Sequence, residues 1–439
     1  MTAPQETAAG NAAVDQSGSR QLRRVLLSSF LGSAIEFYDF VLYATAAAIV
    51  FGHVFFTGLG PGLAAFASFG TLAAGYIARP LGGIVFGHFG DRIGRKRVLV
   101  VSMLAMGLAT TMIGLLPSSA QIGAAAPAAL IVLRVLQGFA VGGEWGGAMT
   151  IALEHAPGGK RGFAASFANL GGPAGAVLAS GAVTLVSLLP DRSFLSWGWR
   201  IPFLLSIVLV GVGLWVRSSV EESPLFRRFQ AEVEKRRMPL AEVFAGYSRQ
   251  VVLGLFAGLA MFGMMGIATM WAVDFAVHHG ASRTGVLNAK TWAAVVMFAA
   301  TVASARLSDR VGRKPVMIAG VVAMMAFAFP MLQLVGSGSA LAYAVAVAVG
   351  QGLQGVVLGP YAAFLAELFP TRVRFTGASL CYQGASTLWA GFTPAIATSL
   401  VLAAGGGTTL LGVVWIGALV LCLVAVLCTR EGRARDLPG

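Results

Sequence analysis

An all-α membrane protein is predicted, with twelve transmembrane helices in two pseudo-symmetric six-helix bundles. Three observations predict it: scarce charge, recurring apolar stretches long enough to cross a bilayer, and charged motifs that occur once in each half. Only 11% of the 439 residues are charged and 57% are hydrophobic, with mean hydropathy +0.79. A soluble domain carries roughly 25% charged residues. Each apolar stretch of about 20 residues can span the hydrocarbon core, and such stretches occupy nearly the whole chain.

In chain order the apolar segments fall near 25 to 52, 61 to 88, 98 to 116, 123 to 153, 162 to 189, 200 to 217, 250 to 276, 285 to 305, 316 to 334, 339 to 365, 375 to 403 and 408 to 429. The 57 glycines lie mostly inside these runs, where small residues let helices approach closely. Residues 1 to 24 are polar, without the apolar core and cleavage site of a signal peptide, and read as a disordered cytosolic tail. Residues 25 to 217 form the N-terminal bundle and 250 to 430 the C-terminal one. Between them, 218 to 249 is a charged cytosolic linker, and 431 to 439 is a second cytosolic tail. Cys381, Cys422 and Cys428 all lie in the last two segments, so neither a disulfide framework nor a metal site is expected.

The formal charge of +13 is explained by topology rather than nucleic acid. With a cytosolic N-terminus, 25 of the 31 Lys and Arg fall on the cytosolic side. Arg192, Arg200, Arg283 and Lys290 fall outside, and Arg79 and Arg134 lie within membrane segments. Lysine and arginine accumulate on the cytoplasmic side of membrane proteins, which predicts both termini inside.

The core Asp-Arg-x-Gly-Arg-Lys occurs at Asp91 to Lys96 and again at Asp309 to Lys314. A second pair is Glu154-x-x-Pro157-x-x-x-Arg161 and Glu367-x-x-Pro370-x-x-x-Arg374, and a third is Leu136-Gln137-Gly138 and Leu353-Gln354-Gly355. Repeats at matching places in two six-helix halves point to a carrier whose substrate site lies between the halves near the midplane.

These residues resemble the major facilitator superfamily, whose signature loop looks like Gly87 to Lys96, and the resemblance covers about residues 22 to 430. Ile35-Glu36-Phe37-Tyr38-Asp39-Phe40, Arg79-Pro80-Leu81-Gly82-Gly83, Gly142-Gly143-Glu144-Trp145-Gly146-Gly147 and Trp197 to Phe203 are similar to the metabolite:proton symporter family, which includes shikimate, ketoglutarate, citrate and proline/betaine carriers. The resemblance implies the major facilitator fold and secondary active transport driven by the proton gradient, with no bound cofactor. It further implies a small-molecule substrate, protons and membrane lipid as partners, function as a monomer, and a bacterial inner-membrane location. By the same resemblance, Asp91, Arg95, Glu154 and Arg161 would form one cytosolic ion-pair cluster and Asp309, Arg313, Glu367 and Arg374 the other, holding the halves together.

An ionisable group in a membrane helix costs about 2.5 to 3.5 kcal/mol and tends to mark a pathway. Glu36 and Asp39 lie three apart on the first segment, hence on one helix face, and Arg79 and Arg134 supply the opposite charge. A carboxylate moving between a dry setting and a nearby guanidinium can load and release a proton; a static buried ion pair is the alternative. Glu144, among four glycines, reads equally as a pocket group or as close packing. Gln137, Gln354 and Tyr382 are interior hydrogen-bonding candidates for substrate or for joining helices.

Enzyme readings fail: the five histidines show no HExxH spacing, no GxSxG elbow has usable partners, and no GxxxxGK[ST] phosphate loop exists. Interior Arg79 and Arg134 favour a small organic acid of the shikimate or dicarboxylate type, by proton symport. The alternatives are a zwitterion such as betaine or proline, and proton-antiport efflux. The efflux signature is matched only in part by Gly171-Gly172-Pro173-Ala174-Gly175.

Overall fold

The computed structural model describes the backbone of residues 5–222 and 239–432. Among the described residues, twelve helices are long and apolar enough to cross a membrane: α1 (Arg20–Ile49), α2 (Phe66–Ile93), α3 (Arg95–Leu115), α4 (Ala125–His155), α5 (Arg161–Val186), α6 (Arg200–Ser218), α7 (Ser248–His278), α8 (Gly285–Val311), α9 (Arg313–Val335), α10 (Ala340–Glu367), α11 (Arg374–Ala403) and α12 (Thr409–Leu427). No strand occurs among the described residues. The eighth segment, interrupted early by Lys290, is one continuous helix.

Two expectations need amendment. The first helix runs back to Gln5, so residues 5 to 24, read as a disordered tail, are helical where described. Their Ala, Gln and Glu content favours helix once α1 supplies a nucleus. In the linker, Pro239–Gly246 forms a short helix, while 223 to 238 lie outside the described residues.

The duplicated Asp-Arg-x-Gly-Arg-Lys motif has a backbone cause. Its glycine joins α2 to α3 and α8 to α9 in the same conformation, with Gly94 at φ 110° and ψ 145° and Gly312 at φ 111° and ψ 160°. Only glycine adopts this region without strain. The motif lysines then cap the helix that ends beside them. Lys96 Nζ donates to Ser218 O at 2.8 Å, and Lys314 Nζ donates to Leu427 O at 3.0 Å and Thr429 O at 2.6 Å. Glu222 and Glu431 in turn accept from the first amides of α3 and α9, where the helix dipole favours an anion. Each half is thus bracketed at the face that carries these motifs, the basic face.

Within each half, glycines let backbones touch. A Cβ on Gly82 would collide with Phe139 O, one on Gly138 with Gly75 O, and one on Gly142 with Arg79 O. This brings α2 and α4 together and sets Arg79 beside the Gly142 to Gly147 run. The second half repeats the device, with Gly355 and Gly359 against Met297 and Thr301 of α8.

Candidate functional site

Five candidate charges, Glu36, Asp39, Arg79, Arg134 and Glu144, lie within the membrane helices of the N-terminal half. Asp39 is 1% exposed. Its Oδ2 accepts from Thr110 Oγ1 at 2.8 Å and its Oδ1 from Ser206 Oγ at 3.2 Å. Gln137 Nε2 donates to Thr110 Oγ1 at 2.7 Å, and Arg134 Nη1 donates to Gln137 Oε1 at 2.6 Å. Asp39 and Arg134, for which the sequence left open a proton-loading carboxylate near a guanidinium or a static ion pair, are joined by a relay through Thr110 and Gln137. The Arg134 guanidinium lies 4.0 Å from the Tyr43 ring centre, and Gly75 leaves it room. Neutral hydroxyls stabilise a carboxylate less than a guanidinium does, so Asp39 is held without being locked as an anion.

About one turn nearer the basic face on α1, Glu36 faces Arg79 of α2 at 3.9 Å. Arg79 lies over the faces of Phe40 and Tyr76, at 5.5 and 4.8 Å from the ring centres. Such contacts favour a cation by about 0.5 to 2 kcal/mol.

Glu144 sits elsewhere, bound to Arg217 of α6 at 2.9 Å and accepting from Ser102 Oγ at 2.8 Å. Arg217 also donates to Leu99 O at 2.7 Å and is 1% exposed. Arg217 was not singled out from the sequence; Gly32 opposite it clears the space that lets it turn inward. Beside Glu144, Trp145 stacks on Tyr382 of the other half, with ring centres 3.5 Å apart, and donates to Asn169 Oδ1 at 2.6 Å. Gln354 is 6% exposed, with no partner for Oε1 among the described residues. Gln383, not singled out from the sequence, reaches across the interface towards Val141 O and Gly142 O.

At the basic face the ion-pair clusters contain the expected residue types, with one exchange between them. Asp91 accepts from the amides of Phe375 and Thr376 at 3.2 and 2.8 Å and from the Thr376 hydroxyl at 2.8 Å. Arg95 lies 3.6 Å from Asp91 and 3.3 Å from Glu154, and donates to Thr371 O at 2.9 Å. Arg374, expected with Asp309, binds Glu154 instead, at 2.6 Å. In the mirror cluster Asp309 accepts from the amides of Gly162 and Phe163 at 2.8 and 2.9 Å. Arg313 binds Asp309 and Glu367 at 2.9 and 3.0 Å. Arg161, expected beside Asp91, lies within electrostatic reach of Glu367. The reason is geometric. Helices α5 and α11 each point their N-terminus at the other half's aspartate, and the arginine that begins each helix travels with it.

The halves are thus joined at three depths. The aspartate caps lie at the basic face. By helix rise, the Trp145 and Tyr382 stack is about 12 to 14 Å further in. Thr387 donates to Tyr76 O at 3.1 Å deeper still. Helices α7 and α11 each contain a π-helical turn, Ile267–Trp271 and Ser386–Ala390, a distortion common at functional sites.

The comparisons agree with this architecture. A family profile described as Major Facilitator Superfamily matches residues 29–394. The inner membrane metabolite transport protein YhjE of Escherichia coli strain K12 is 42% identical, covering 94% of this chain and 95% of that protein. The shikimate transporter of the same strain is 37% identical, covering 94% and 95%. The solved structure of the proton:xylose symporter XylE bound to 6-bromo-6-deoxy-D-glucose superposes with a TM-score of 0.78 at 19% identity, covering 96% of this chain and 98% of that one.

Proposed function

The chain belongs to the Major Facilitator Superfamily as an integral membrane transporter rather than an enzyme, and from that premise we propose that it takes up a small organic acid with protons by alternating access. The observation that carries this reading is Asp39: a carboxyl group 1% exposed inside a membrane helix, held by two hydroxyls and linked to Arg134 by a relay through Thr110 and Gln137. A carboxylate in hydrocarbon is costly unless paired. Asp39 therefore has reason to carry a proton in one conformation and give it up in another. Arg79, exposed by 11% and backed by two rings, suits the carboxylate of the substrate. The 37% identity to a shikimate transporter supports the same class.

Both termini and the basic face are assigned to the cytosol on the bias of Lys and Arg, in a bacterial inner membrane. The monomer works in lipid on the proton gradient, with no bound cofactor. The caps on Asp91 and Asp309 serve as the cytosolic gate, with the Trp145 and Tyr382 stack as a second barrier above it. The arrangement is closed towards the cytosol.

The test is uptake of radiolabelled shikimate and related organic acids into proteoliposomes with an alkaline interior, alongside glycine betaine and proline. Organic acids are expected to accumulate and the accumulation to collapse when the pH gradient is dissipated. Accumulation of betaine or proline alone would replace the substrate class, and export driven by inward protons would replace symport with efflux.

A further inference from the structure

The Glu36 and Arg79 pair differs from the Glu144 and Arg217 pair of the same half. Glu144 and Arg217 meet at 2.9 Å, with Ser102 Oγ donating to Glu144 and Arg217 also donating to Leu99 O. Glu36 and Arg79 stand 3.9 Å apart, and among the described residues no hydrogen bond holds either side chain. Tyr382 of the opposite half lies within electrostatic reach of both, so the pair sits at the boundary between the halves. One pair is fastened by hydrogen bonds; the other can separate without breaking one.

When a substrate carboxylate takes Arg79, Glu36 loses its partner at membrane depth. An unpaired buried charge is strongly unfavourable. We propose that the substrate itself repairs this loss: the site is a two-pronged receptor in which Arg79 binds the carboxylate and Glu36 accepts a hydrogen bond from a hydroxyl on the same molecule. The substrate class is then a hydroxylated carboxylic acid rather than a plain one. This rests on the carboxylate reading of the proposed function. A site built to bond a hydroxyl rejects the analogue that lacks it, because the buried partner is left bare.

Matched ligands test this in purified protein: shikimate against 1-cyclohexene-1-carboxylate, lactate against propionate, and malate against succinate. Wild-type protein is expected to bind the hydroxylated member of at least one pair about tenfold to a hundredfold more tightly, the range for a hydrogen bond to a charged group. Glu36→Ala is expected to erase most of that preference while still binding carboxylates through Arg79. Glu36→Gln, which keeps size and one acceptor but no charge, replaces it should the alanine variant not fold, and is expected to show a reduced preference. Equal binding of both members by wild type overturns the proposal and leaves the carboxylate reading intact, as does a preference unchanged in the Glu36 variant. If wild type binds no carboxylate of any pair, the carboxylate reading fails and the proposal with it.

Discussion

Asp39→Asn is expected to abolish accumulation of substrate against its gradient while sparing downhill exchange. The substitution keeps the side chain's size. Its carbonyl can accept from one hydroxyl and its amide can donate to the other, since Thr110 and Ser206 each act as donor or acceptor. What is lost is the titrating group. A pH difference of one unit supplies about tenfold accumulation per coupled proton, and an uncoupled carrier loses that factor. Voltage adds a diagnostic, because moving one charge across 100 mV is worth about 2.3 kcal/mol. A monoanion carried with one proton ignores voltage, and a second proton makes uptake electrogenic. Accumulation of labelled substrate in proteoliposomes checks the expectation. If the Asn variant still concentrates substrate, coupling resides elsewhere, with Glu36 and then Glu144 next to test.

The second large effect is expected at the gate. Asp91 accepts three hydrogen bonds from the start of α11, and bonds to a charged acceptor contribute about 1.5 to 3 kcal/mol each. Asp91→Asn removes the charge, and the carrier should shift about tenfold or more towards the form open to the basic face. Transport slows because closing that face no longer has its latch. The reporter is a cysteine at Ser379, a buried position of α11 opposite Gly146, with the native cysteines replaced by alanine. Its labelling from the basic face should accelerate in the Asn variant. Unchanged labelling together with unchanged transport would reduce Asp91 to an ordinary loop charge.

What the sequence made legible follows from how membranes constrain chains. Twelve spans stood out because each backbone must satisfy its own hydrogen bonds in lipid, so every crossing leaves a long apolar run. The paired motifs stood out because Gly94 and Gly312 need one unusual backbone conformation at equivalent turns. Partners were harder to read. Which arginine meets which carboxylate depends on α5 and α11 crossing between halves, and Arg374 and Arg161 exchange clusters for that reason.

The relay around Asp39 was half legible. Asp39, Arg134 and Gln137 are conspicuous in apolar segments, whereas Thr110 and Ser206 are not. A hydroxyl in a membrane helix usually returns its hydrogen bond to its own backbone, as Thr111 does to Gly107 O, and Thr110 too lies 3.0 Å from Met106 O, so nothing in the sequence separates Thr110 from its neighbour. Arg217 did not stand out because it ends the bundle beside a charged linker; Gly32, on a helix far away in sequence, leaves the space it fills.

The central claim is that an organic acid and a proton enter together through Asp39. The most direct measurement is the pH of a weakly buffered, de-energised suspension of proteoliposomes when substrate is added. Alkalinisation of the outer medium is predicted for the wild type, and none for Asp39→Asn vesicles that still admit substrate. Substrate entry without alkalinisation in the wild type, or alkalinisation that persists undiminished in the Asn variant, would contradict it.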